Sequence, residues 1–160
     1  MIVVSDTSAI SNLAVIGQLA LLHKLYGEIV IPSAVYQELL NADITNPASS
    51  AIQTLDWVQI RSITNIALFQ TLHKTLDLGE AEAITLAVEL NADRLIIDER
   101  RGRKAAIASG VQVIGLLGIL LAAKRQGLIG SVQLMLDELI NRGFWVQTEV
   151  YEEILKLAGE

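Results

Sequence analysis

Short apolar runs punctuate the chain, and each ends at a polar or turn-forming residue. Met1–Ser5 is followed by Asp6, Ile29-Val30-Ile31 stops at Pro32, Leu95-Ile96-Ile97 ends at Asp98, and Val111–Ile114 lies between two glycines. Runs of this length, apolar at consecutive positions and rich in Val and Ile, fit strands of a parallel sheet buried on both faces. They predict strands at 2–5, 29–31, 94–97 and 111–114. Trp57–Ile63 alternates apolar and polar positions instead, which predicts a fifth strand at an edge of the sheet.

Between these runs the apolar period lengthens to that of a helix. Helices are predicted at about 8–16, 18–26, 33–40, 48–55, 65–75, 78–91, 100–108, 116–126, 131–142 and 147–158. Ser33 stands where the third of them needs an N-cap, and Gly110 where the 100–108 helix needs a stop. Residues 41–50 are turn-rich and predict a loop, and Gly127, Gly130 and Gly143 separate the last three helices. There is no internal repeat and no linker. Strands alternating with helices predict an α/β fold, a three-layer α/β/α sandwich around a central, mostly parallel sheet. One domain over 1–160 is expected, with a core at about 1–125 and a helical C-terminal extension at about 126–160.

Composition narrows the chemistry. Of the 160 residues 52% are hydrophobic but only 4% aromatic, so the core is aliphatic. There is no cysteine, which excludes disulfides, thiolate zinc sites and cysteine nucleophiles. His23 and His73 are isolated and read as helix-surface residues, so any metal would need oxygen ligands. The longest apolar run, Val113–Ala123, is too short to span a bilayer, and Met1–Ser5 is too short for a signal peptide. A soluble, cytoplasmic protein without a membrane partner is expected. The net charge of −6 argues against a sequence-independent nucleic-acid coat. A local basic patch stands out against it at Arg100, Arg101, Arg103 and Lys104.

Carboxylates occupy positions where apolar residues would be cheaper. Asp6 and Asp98 close strands, and in an open parallel sheet the C-terminal strand ends form the ligand-binding rim. Glu38 shares a helix face with Ala34 and Val35. Glu80 and Glu82 open the 78–91 helix; Glu80 lies on the stripe of Ile84 and Ala87, and Glu82 on the polar stripe of Thr85 and Glu89, so periodicity turns Glu80 inward and Glu82 to solvent. Each acid also has a plain structural reading, as a helix cap or as a partner of a helix dipole. Together they suggest a cluster held by a hard cation such as Mg²⁺ or Mn²⁺.

Four blocks carry a resemblance. Val3-Val-Ser-Asp-Thr-Ser-Ala-Ile, Ile29-Val-Ile-Pro-Ser-Ala-Val-Tyr-Gln-Glu-Leu, Gly79-Glu-Ala-Glu-Ala-Ile-Thr-Leu-Ala and Leu95-Ile-Ile-Asp-Glu-Arg resemble, in order and spacing, the PIN domain over about residues 1–125. The C-terminal Gly115–Ile129 segment and Gly143-Phe-Trp resemble a bacterial and archaeal branch of PIN-like proteins. The resemblance implies a metal-dependent ribonuclease of the kind found as VapC-type toxins, with RNA as substrate, a homodimeric state and an antitoxin protein as partner. It carries the acids over onto Asp6, Glu38, Glu80 or Glu82, and Asp98, with Glu99 as the alternative to Asp98. Thr7 or Ser8 matches the hydroxyl after the first Asp. On this reading Asp6, Glu38 and Asp98 hold Mg²⁺ or Mn²⁺ with Glu80 as a further ligand, while Arg100, Arg101 and Arg103 position the strand. The alternative is a PIN-like module with a degraded site that binds or regulates.

Overall fold

The computed structural model describes residues 1–160. Five strands form one sheet: β1 (Val3–Ser5), β2 (Ile29–Pro32), β3 (Val58–Arg61), β4 (Arg94–Ile96) and β5 (Val113–Ile114). Their order across the sheet is β3-β2-β1-β4-β5, and every pairing is parallel. The chain winds outward from β1 to β3, crosses over, and winds outward again from β4 to β5. The turn-around lies between β1 and β4, where the register pairs Val4 with Leu95 and Ser5 with Ile96. A doubly wound sheet opens a crevice at this point, beyond the carboxyl ends of its strands.

Ten helices cover the sheet. Those before β4 are α1 (Thr7–Val15), α2 (Ala20–Tyr26), α3 (Ser33–Leu40), α4 (Ala48–Ala51), α5 (Ile66–His73) and α6 (Leu78–Glu89). Those after it are α7 (Arg100–Ala108), α8 (Leu116–Arg125), α9 (Val132–Asn141) and α10 (Thr148–Leu157). Side chains alternate across each strand and so divide the core in two. Val3, Ile29, Ile31 and Ile96 face a larger cluster with α1–α4 and α8–α10; Val4, Val30, Leu95 and Ile97 face a smaller one with α6 and α7. This is an α/β/α sandwich with an all-parallel sheet.

The element order follows the apolar pattern closely, with differences at the ends. The fourth helix is four residues long rather than spanning 48–55, and β5 keeps only Val113 and Ile114. Trp57–Ile63 yields an edge strand, as its alternation suggests. Gly110 follows α7 with φ 82°, a left-handed conformation that glycine adopts without strain. Ser33 does not cap α3: its hydroxyl meets Ser62 at 3.1 Å, and the N–H of Ala34 donates instead to Glu82 Oε1 at 3.1 Å. That contact also corrects the solvated placement of Glu82, which is half-buried at the first turn of α3. Both histidines lie on the surface; His23 stacks on Trp57 and His73 on Phe69.

The last two helices share the larger core. Ile129, Val132, Leu136, Leu139 and Ile154 are buried in the cluster that holds α1 and α8. The Glu160 carboxylate accepts the N–H groups of Val132 and Gln133 and the Ser131 hydroxyl, which fixes the start of α9. No helix is long and apolar enough to cross a membrane. Leu136 has no exposed surface, so Leu136→Ala should destabilise the protein by about 2–5 kcal/mol. Urea unfolding should show the whole transition moving as one; a separate early transition of the C-terminal helices, with the rest unchanged, would show that they do not share the core.

Candidate metal centre

The crevice between β1 and β4 is lined by acids delivered by the end of β1, by α3, by α6 and by the start of α7. Asp6 is the first residue beyond β1; its N–H donates to Ile96 O at 2.9 Å, and its Oδ1 accepts the Ala9 N–H at 3.2 Å, capping α1. Glu38 reaches across from α3, where Oε1 accepts the Gly79 N–H at 3.1 Å and Oε2 accepts the Thr7 hydroxyl. Asp77 caps α6 by accepting the Glu80 N–H at 2.8 Å. Glu80 follows in the first turn of that helix and is buried, 8% exposed. Glu99 occupies the N-cap position of α7. With Thr7 and Ser8 these five acids line a cavity of about 150 Å³ that has no hydrophobic side chain in its wall.

Like charges in a small buried space are costly, and the protonation of the acids shows it. Burial pushes Asp6 up to about 7 from its ordinary 3.8, against the lowering effect of the Ala9 N–H, and the nearby Asp98 charge adds to the rise. Burial pushes Glu80 up to about 8 from 4.5, reinforced by the Asp77 and Glu99 carboxylates beside it.

Oxygens of Asp77, Glu80 and Glu99 lie within 4.8 Å of one another. Glu80 Oε2 is buried and has no hydrogen-bond partner. Three carboxylates at this spacing, one of them with a buried oxygen left unsatisfied, are the donor set of a hard divalent cation and offer nothing to a soft one. The backbone makes room for these groups. A Cβ on Gly102 would lie 2.8 Å from Glu80 Oε2, and one on Gly79 would collide with the Glu38 carboxylate. The residues present therefore fit a cation of the Mg²⁺ or Mn²⁺ kind.

The crevice brings Asp6, Thr7, Ser8, Glu38, Glu80 and Glu99 together. It does not include Glu82, whose carboxylate serves α3, nor Asp98. The Asp98 side chain turns to the other face of the sheet, where Oδ1 accepts the Leu116 N–H at 2.9 Å and Oδ2 is buried without a partner. Burial raises its pKa, while the Leu116 N–H and the Arg103 guanidinium oppose the rise. The physical reason is strand alternation: carried past β4, it sends Asp98 with Ile96 and Glu99 with Ile97. Arg100, Arg103 and Lys104 line a separate cavity beside Asp98, and Arg101 lines another. Arg103 donates to Ile97 O at 3.2 Å. Asp77 is absent from the sequence reading. Its signal was its place directly before Leu78-Gly79-Glu80, at the N-cap of a strongly patterned helix.

Raised carboxyl pKa values tie stability to pH. Between about pH 4 and 8 the metal-free native state holds protons on Asp6 and Glu80 that the unfolded chain has released. Stability therefore falls as pH rises through this window. The melting temperature of EDTA-treated protein should drop from pH 5 to pH 8. Mn²⁺ should raise it most at pH 8, where the cation meets least competition from protons. A melting temperature that is flat with pH and unmoved by Mn²⁺ would contradict this electrostatic account.

No protein of curated function matches the chain in sequence. The PIN domain family matches it over residues 2–160, nearly its whole length. With a five-stranded parallel sheet and an acid-lined crevice at its switch point, the chain belongs to the PIN domain family, whose fold is that of a nuclease.

Proposed function

We propose that this protein is a metal-dependent endoribonuclease that hydrolyses RNA phosphodiesters in the crevice between β1 and β4. One observation carries the reading. Asp77, Glu80 and Glu99 present oxygens within 4.8 Å of one another, and Glu80 also carries a buried carboxylate oxygen with no hydrogen-bond partner. Those three residues would hold Mg²⁺ or Mn²⁺, with Asp6 and Glu38 on the facing wall. When bound, the cation supplies positive charge opposite the phosphate and lowers the pKa of water.

The protein's own groups do the positioning. Glu38 is fixed at both oxygens, by Thr7 and by the Gly79 N–H, so it contributes a charge of constant direction. Asp6 is held between the Ala9 N–H and a buried environment. Its carboxylate would receive the proton that the attacking water loses, and the 3′ oxygen would depart as the P–O bond breaks, taking a proton from solvent. Thr7 and Ser8 border the cavity and orient the substrate. Arg100 lies on α7 directly after Glu99 and neutralises the adjoining phosphate. Asp98 and Arg103 are positioning residues: Asp98 ties the end of β4 to the start of α8, and Arg103 ties α7 to Ile97.

The likeness to VapC-type toxins extends the proposal to a cytoplasmic toxin of a toxin–antitoxin pair. Exposed apolar side chains in the C-terminal segment, Leu134 and Leu157 on helices and Trp145 between them, supply surface for a homodimer or an antitoxin contact.

The test is cleavage of single-stranded RNA by purified protein. EDTA should abolish it and Mn²⁺ or Mg²⁺ should restore it. Asp6→Asn and Glu80→Gln should each lower the rate at least about a hundredfold. Asp77→Asn should weaken the cation's half-saturation by about tenfold or more. Undiminished cleavage by Asp6→Asn, or activity indifferent to EDTA, would refute the assignment.

A further inference from the structure

A second cavity is walled by two segments that each continue along the chain into an acid of the crevice. One wall is Lys74-Thr75-Leu76, which continues directly into Asp77. The other is Arg101, Lys104, Ala105 and Ala108 on α7, the helix whose N-cap is Glu99. These four α7 residues follow the i, i+3, i+4, i+7 spacing of a single helix stripe. The space between the walls is about 590 Å³, within the range of sites that take nucleotide-sized ligands.

This groove is basic and carries no acid in its walls. Lys74, Arg101 and Lys104 are exposed in a chain of net charge −6. None is in an ion pair: the two in the structure are Lys124–Glu160 and Arg142–Glu138. Leu76, Ala105 and Ala108 give the cations a small, apolar floor. Free cations along an apolar groove suit a sugar–phosphate backbone. No aromatic ring lines the groove, so stacking does not hold the bases, and recognition there is independent of sequence.

We infer that the groove between Lys74 and α7 carries the backbone of single-stranded RNA to the acid-lined crevice, with Lys74, Arg101 and Lys104 as phosphate-positioning residues. This deepens the ribonuclease reading and rests on it for the identity of the strand. Arg103 is outside the track because its guanidinium is already engaged at Ile97 O.

The experiment measures binding apart from cleavage. A fluorescein-labelled single-stranded RNA of mixed sequence is titrated with full-length protein in EDTA, and anisotropy is followed across a salt series. Lys74→Ala, Arg101→Ala and Lys104→Ala should each weaken binding roughly three- to tenfold and reduce the slope of log K against log salt by about 0.7. Lys74→Arg should restore binding, and Lys24→Ala and Lys156→Ala, on α2 and α10, should leave it unchanged. In Mn²⁺ the groove variants should raise KM while kcat stays within about twofold. Wild-type affinity and salt slope in the triple variant would overturn the inference, as would absence of RNA binding by the wild type. RNA bound through these cations but never cut would instead defeat the ribonuclease reading and leave the groove standing.

Discussion

The pairing of β1 with β4 is the contact on which the molecule's chemistry depends. It joins the first strand of the chain to one more than ninety residues later, and it leaves helices to diverge on either side. Because the pair is parallel and in register, residues just beyond the two strands come together at one rim. The crossover between β3 and β4 then drops α6 over the opening. Its first turn supplies Asp77, Glu80 and the close-packed Gly79. Three segments far apart in sequence thus converge without any of them being irregular.

A parallel sheet also places the start of each following helix at that same rim. The acids exploit this. Asp6 caps α1, Asp77 caps α6, Glu82 meets the first turn of α3, and Asp98 meets the first turn of α8. Helix N-termini carry unsatisfied N–H groups and a partial positive charge, which offset some of the repulsion among the carboxylates. Burial is the larger reason that Asp6 and Glu80 are raised, and the neighbouring carboxylates add to it. What is left over is an affinity for positive charge. Holding a helix and keeping an oxygen to spare go together at this rim: Asp98 Oδ2, like Glu80 Oε2, is buried without a partner.

Much of this was legible from residues alone. Consecutive apolar positions at 29–31 and 95–97 reveal strands buried on both faces, and that reading carries the sheet and its layers. The helical stripe of Ile84 and Ala87 marks Glu80 as the inward acid, and it is the buried one. Strand ends were harder. Deciding between Asp98 and Glu99 requires knowing which face of the sheet α6 covers, and that is a tertiary fact. In the structure Glu99 lines the acid-lined cavity with Asp6, while Asp98 accepts the Leu116 N–H. Glu82 and Asp77 escaped for a related reason. A polar stripe does not distinguish water from the N-terminus of another helix, and a capping aspartate looks alike whether its free oxygen meets solvent or other carboxylates.

Three glycines stand directly behind three carboxylates: Gly79 behind Glu38, Gly102 behind Glu80 and Gly115 behind Asp98. None of the three has the left-handed backbone that would demand glycine for its own sake. The Ile97 side chain helps bar a methyl group at Gly102, and the Arg103 guanidinium does so at Gly115; at Gly79 the Glu38 carboxylate alone sets the bar. Were Glu38 exchanged for a shorter neutral side chain, Gly79 would become free to turn into alanine. Glycine at 79 is thus a mark, written in the backbone, of the acid that faces it.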